Sequence, residues 1–298
     1  SDFLVQASLE ANQSIPPGIV HLTRSTTLTA RSLDGDDWSG PATQTFIVGT
    51  TPASADNLVI SEIMYNPAGA GQSEYIELMN ISTGPIDLSG TAFTRGIDFT
   101  FPAGNQSVLQ PGARTLVAVD ATGTSLDNSG ETITLTALDG QPIRHFKYND
   151  KAPWPEAADG RGFSLVLDLP NTNPDHSLAK NWRSSVAPGG SPGTTDTLTF
   201  TGDPNADPDQ NGLTALLEFA TADHDTTSID AGLVFSFRRN LAAANVRYTV
   251  ERSTDLITWH ADTTFVDETN HTDGTATLRY RPPTEAGNQY LRLKVTLL

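Results

Sequence analysis

Between Leu58 and Gly90 the chain reads LVISEIMYNPAGAGQSEYIELMNISTGPIDLSG. Two apolar runs, Leu58 to Met64 and Glu74 to Asn80, flank a loop rich in Asn, Pro and Gly. A Gly84-Pro85 turn leads on into Ile86-Asp87-Leu88. β-branched and aromatic residues on either side of turn residues are the signal of a β-hairpin. Short segments of the same kind follow at close spacing. Thr115 to Asp120 precedes a Gly-containing turn. Glu131 to Leu138 alternates, with Ile133, Leu135 and Ala137 on one face and Thr132, Thr134 and Thr136 on the other. Asp139-Gly140 turns into Pro142 to Asn149, and Phe163 to Leu169 is a further apolar strand. Many short antiparallel strands predict a β-sandwich.

These residues resemble the lamin-tail domain in its bacterial, secreted form. The resemblance rests on Ile60 to Ile63, Asn66-Pro67, Glu74 to Asn80 and Asp87 to Gly90. It returns at Pro153-Trp154-Pro155, Ala158-Asp159-Gly160, Ser164 to Leu167, Trp182-Arg183 and Gly189 to Gly193. One departure is the short connection from Asp120 to Asp127. Upstream, Ser25 to Arg31, Trp38-Ser39 and Phe46 to Val48 resemble the last strands of the chitobiase carboxy-terminal domain family. Strands are expected there at Ile19 to Leu22, Thr26 to Ser32 and Thr45 to Val48. Downstream, Tyr248 to Ser253 with Asp255-Leu256 and Trp259 resembles a β-rich ending of large secreted bacterial proteins.

The expected fold is all-β. An immunoglobulin-like sandwich of lamin-tail type (residues 53–195) is flanked by a partial immunoglobulin-like unit (1–52) and a calcium-loop, helix and β-rich unit (196–298). In the last unit a helix is expected over Leu213 to Thr221. Three alternating runs are expected as strands: Leu233, Phe235 and Phe237; Tyr248 and Val250; Leu291, Leu293 and Val295.

The sharpest local motif is Asp207-Pro-Asp209-Gln-Asn211-Gly212-Leu213-Thr-Ala-Leu-Leu-Glu218, which fits the calcium-loop pattern at every fixed position. Calcium takes six to eight hard oxygens. Asp207, Asp209 and Asn211 would supply side chains, Leu213 its carbonyl and Glu218 two oxygens, with Asp203 and Asn205 extending the loop upstream. No helix is evident before the loop, so a lone loop with an exit helix is expected. The plainer reading is an Asp/Asn-rich linker with a capped helix.

Other constellations carry less. Gly189-Gly-Ser191-Pro192-Gly193 matches a nucleophile elbow in letters, but Pro192 has no N–H to give an oxyanion. Glu62, Glu74 and Glu77 could pair as hydrolase carboxylates; acidic residues on an exposed strand face explain them more simply. Trp38 and Trp154 are weak candidates for stacking on sugar, and Trp182 is expected inside the sandwich. The formal charge of −17 argues against nucleic acid as a partner. No apolar run approaches membrane-spanning length, and the absence of Cys excludes disulfides and thiolate metal sites. The chain starts Ser-Asp-Phe and is expected to be a piece of a longer protein. The resemblance implies a non-catalytic accessory, adhesion or spacer module of an exported bacterial protein, extracellular or at the cell surface. Its partners would be upstream domains of the same polypeptide and polysaccharide or cell-surface protein. A glycosidase-like hydrolase and a sheet-edge interaction module are the alternatives.

Overall fold

The computed structural model describes residues 5–6, 25–31, 33–34, 36–46, 48–69, 73–223, 227–230, 232–271, 273–284 and 287–298. The expected strand at Ile19 to Leu22 lies outside them. The amino-terminal residues form a sheet of Val5–Gln6, Thr26–Ala30 and Ala42–Phe46, plus a small hairpin of Leu33–Asp34 with Asp37–Trp38. The last strand begins three residues before the expected Thr45 and stops at Phe46; Val48 already lies in the turn at Gly49. Its threonines explain the placement: Thr27 pairs with Thr45 and Thr29 with Thr43 through their hydroxyls across the strands.

The sandwich opposes two sheets. One runs Arg114–Ala118, Tyr75–Asn80, Leu58–Met64, Leu165–Leu167, Trp182–Ser184, all neighbours antiparallel. The other runs Phe99–Thr100, Ala92–Arg95, Thr132–Thr136, Pro142–Lys147. The Leu58–Met64 and Tyr75–Asn80 strands match the sequence expectation to within a residue. Leu58, Ile60, Ile76 and Leu78 pack with Phe93, Ile133, Leu135 and Phe146 in one core, and each such side chain stabilises by about 1.5–3 kcal/mol. Trp182 is buried in that core, where it stacks on Phe146 at 5.7 Å and donates to the His176 carbonyl. The short connection after Asp120 is closed by a 3-10 turn at Val119–Thr122 and by Glu74, whose Oε2 accepts from Leu126 N at 2.7 Å.

The carboxy-terminal unit packs a four-stranded sheet, Ser228–Ile229, Phe235–Asn240, Thr275–Arg281, Thr264–Asn270, against the pair Val246–Ser253 and Tyr290–Leu297. Phe235, Phe237, Val250 and Leu278 are buried between them, with Leu291 and Leu293 alongside. Leu233 departs from the expected alternation. It is 62% exposed at φ +58°, because Asp230 Oδ1 accepts from Gly232 N and Val234 N and winds the chain into a turn there. The helix is Ala215–Thr221; it starts two residues late because Thr214 caps it, accepting from Leu217 N. Among the described residues no helix is long and apolar enough to cross a membrane.

Candidate functional site

The inner face of the five-stranded sheet packs on the core, and its outer face is covered over the Glu77, Glu62 and Arg183 positions but open at the edge strand, where Leu116 is 43% exposed. The outer face carries a row that crosses all five strands in register: Leu116, Glu77, Glu62, Val166, Arg183. The glutamates are 1% exposed, so an exposed strand face does not account for them. A β-bulge between Ile60 and Glu62 brings Glu62 opposite Glu77. Three charged groups survive on this face because a strap, residues 186–199, crosses it and supplies a partner for each: N–H and O–H donors for the glutamates and the Asp196 carboxylate for Arg183.

Each carboxylate oxygen is engaged. Glu62 Oε1 accepts from the Tyr75 hydroxyl (2.6 Å), the Ser164 hydroxyl and Ser191 N (2.9 Å), and Oε2 accepts from Ser191 Oγ (2.9 Å). Glu77 Oε1 accepts from Ser61 Oγ (2.6 Å) and Arg114 Nε (2.9 Å), and Oε2 accepts from Gly193 N (2.7 Å). Burial raises the Glu77 pKa above the usual carboxylate value, against the pull of Ser61, Gly193 N–H and Arg114. Burial, then the neighbouring Glu62, raises that of the Tyr75 phenol. Gly190 permits the approach: at φ +72°, a Cβ there would overlap the Tyr75 hydroxyl and Glu62 Oε1.

Arg183, 1% exposed, anchors the far end of the row. Its Nε bonds Asp168 at 3.1 Å, and Nη1 and Nη2 hold Asp196 in a fork. Asp168 also takes Arg239 from the carboxy-terminal unit, and Asp196 Oδ2 accepts from Val186 N. Burial would raise the Asp196 carboxyl, but the Arg183 bonds and charge outweigh it and hold the pKa low. Leu198 bridges to Ala243, and Val186 packs against the carboxy-terminal core. These contacts fasten the strap to both units. A cavity of about 380 Å³ remains between sheet, strap and the Ala244–Asn245 turn.

The sequence candidates are thus sorted. Glu62 and Glu77 share the cavity; Glu74 does not line it and serves the Leu126 backbone instead. Trp154 is only 9% exposed, packed 6.0 Å from Trp182, so it offers no platform for a sugar. Trp38 is 49% exposed on its hairpin. The reading of Gly189 to Gly193 as a turn holds, and Ser191 is a donor to Glu62.

The acidic loop is tied by hydrogen bonds among its own residues. Gly212 sits at φ +90°, Gly212 N donates to Asp207, and Asn211 N donates to Asp207 and Asp209. The Asn211 amide donates to both Asp209 and Glu218 at 3.0 Å, and Leu213 N caps Asn211 Oδ1. Asp203 accepts from Asn205 N. Among the described residues no three His, Cys, Asp or Glu side chains are gathered closely enough to hold a metal. The donor types are those calcium takes, and the Asn211 amide bridges the Asp209 and Glu218 carboxylates. The exit helix follows, and no α-helix precedes the loop among the described residues.

The Tyr290–Leu297 strand pairs with Val246–Ser253 on one side and, among the described residues, with no strand on the other. Arg292 and Lys294 on it are charges of the kind that blunt an edge. The sequence reading missed Arg183, Asp196 and His176 as structural agents. The Trp182-Arg183 pair and the Gly189 to Gly193 run were its only signals of the strap and its anchor.

A family model, the lamin tail domain, matches residues 51–150. That family consists of non-catalytic, immunoglobulin-like modules. No curated protein and no solved structure matches the chain. The matched stretch ends before the Leu165–Leu167 and Trp182–Ser184 strands that complete the sheet.

Proposed function

We propose that the chain is a non-catalytic accessory module, a stiff spacer that holds its flanking units at a fixed separation in an exported bacterial protein. One observation carries this: the carboxylates a hydrolase would need, Glu62 and Glu77, are the acceptors that latch the strap to the sheet. A glycosidase requires one carboxyl free to hand over a proton and another free to meet water or the anomeric carbon. The Arg183–Asp168–Asp196–Arg239 network then ties the sandwich to the carboxy-terminal unit. The amino-terminal sheet, by its resemblance to the chitobiase carboxy-terminal family, would be a further unit of the same string.

Calcium belongs to this reading as a structural ion, held by Asp207, Asp209, Asn211, Glu218 and the Leu213 carbonyl, with Asp203 and Asn205 flanking. An extracellular or cell-surface setting would supply it at concentrations such modules use. The test pairs two measurements. Nitrophenyl glycosides of common hexoses should show no turnover above buffer. Small-angle scattering should give one fixed separation of sandwich and carboxy-terminal unit, lost in Asp196→Asn. Turnover abolished by Glu62→Gln would overturn the non-catalytic reading; a flexible wild type would overturn the spacer.

A further inference from the structure

We infer that the cavity between the sandwich and the carboxy-terminal unit binds a neutral sugar residue. This deepens the accessory-module reading and rests on it. The volume, about 380 Å³, lies within the range of small-ligand pockets, about 300–1,000 Å³, and domain interfaces are where such pockets form. The lining decides the chemistry. It keeps acceptors in hand: Glu77 Oε2 takes only Gly193 N, and each Asp168 oxygen takes a single arginine bond. It also keeps donors. Arg114 uses Nε on Glu77, leaving both terminal nitrogens without a protein partner among the described residues, and the Asn171 amide and Thr199 hydroxyl likewise have none.

A hydroxyl group donates and accepts at once, so a polyol satisfies both sets. An ammonium would leave the Arg114 donors facing a like charge. A carboxylate would face Glu77, Asp168 and Asp196 in a chain of net charge −17. Met79, Val166 and Pro170 supply apolar surface for the C–H faces of a ring. The carboxylates are already fixed by Ser61, Ser191 and Gly193, so ordering them adds little to the cost of binding.

The test is isothermal titration of the whole chain with glucose, galactose, mannose and N-acetylglucosamine, with galacturonate and spermidine as charged contrasts. At least one neutral sugar should bind saturably with Kd below about 10 mM, tighter than either contrast. Ala244→Trp, which fills the cavity, should abolish binding. Asn171→Ala, at an exposed position with no side-chain bond, should weaken it about three- to tenfold without altering the melt. If Ala244→Trp does not fold, Asn171→Ala carries the test. No neutral sugar bound, a charged contrast bound tighter, or Asn171→Ala binding as the wild type would each overturn the proposal. Absence of binding with scattering unchanged removes the sugar site alone. Hydrolysis of a bound glycoside would instead refute the non-catalytic reading while the site stood.

Discussion

Replacing Gly190 by Ala tests the latch. The residue sits at φ +72°, and its new Cβ would overlap the Tyr75 hydroxyl and Glu62 Oε1 and press on Ser164 Oγ at 2.9 Å. Tyr75 and Ser164 are buried and hydrogen-bonded to the same carboxylate oxygen, so neither can swing aside freely. Backbone strain alone costs about 1–2 kcal/mol. Displacing two bonds to a charged acceptor adds about 1.5–3 kcal/mol each. The expected destabilisation is therefore about 4 kcal/mol or more, a large fraction of a typical domain's stability. Gly189→Ala is the internal control: Gly189 also has a positive φ, +96°, but no atom lies within 4 Å of its added Cβ, so only the strain of about 1–2 kcal/mol applies. The assay is urea unfolding followed by tryptophan fluorescence, to which the buried Trp154 and Trp182 report on the sandwich. Equal losses in the two variants would refute the close approach and with it the latch.

Other expectations follow from the same contacts. His176 is 4% exposed, its Nδ1 hydrogen-bonded to the Pro174 carbonyl and its Nε2 accepting from Ile60 N; burial, then the charge of Arg144, lowers its pKa from 6.5 to about 3. Because the folded pKa lies below the unfolded one, its contribution is full above pH 6.5 and is lost as pH falls toward about 3, by up to about 1.4 kcal/mol per unit. His176→Gln should flatten that part of a pH–stability profile, and an unchanged slope would exclude it as the cause. At about 1 mM calcium and a Kd of about 0.1 mM, the loop ion would stabilise by about 1.4 kcal/mol. Chelator should then lower the melting temperature of the wild type by a few degrees and leave Glu218→Gln unmoved; identical melts in both buffers would dismiss the ion. Asp196→Asn leaves Arg183 short of a charge partner and should cost about 3 kcal/mol. It should also split a single calorimetric transition into two, and a single sharp transition would deny that this network couples the units.

The sandwich was legible where one side chain in two met the core. Ile133 and Leu135 are fully buried while Thr132, Thr134 and Thr136 are only partly so, and the periodicity said as much. Glu62 and Glu77 were harder, because period-two alternation reports polarity and polarity is taken for solvent. Their burial depends on a strap 110 or more residues downstream in sequence, whose N–H groups they accept at Ser191 and Gly193. No local pattern carries that. Trp182 lies in the core as expected, but for Trp154, an aromatic in a loop, only packing tells a core ring from a platform. The acidic loop was the opposite case. Its spacing is local, and the turn at Gly212 (φ +90°) and the exit helix capped by Thr214 were legible in it, while among the described residues no three carboxylates gather there. Leu233 shows the limit of alternation: the Asp230 turn overrides it within two residues.

The order of strands in the five-stranded sheet has a mechanical meaning. The chain enters that sheet at Leu58 and leaves it at Ser184. Leu58–Met64 and Trp182–Ser184 each run antiparallel to Leu165–Leu167 between them, and so run parallel to one another. Entry and exit therefore lie at opposite ends of the sheet. Tension between upstream and downstream units drags the outer strands lengthwise past the middle one, so the ladder bonds resist together in shear. A sheet with both attachments at one end would peel open bond by bond under the same pull.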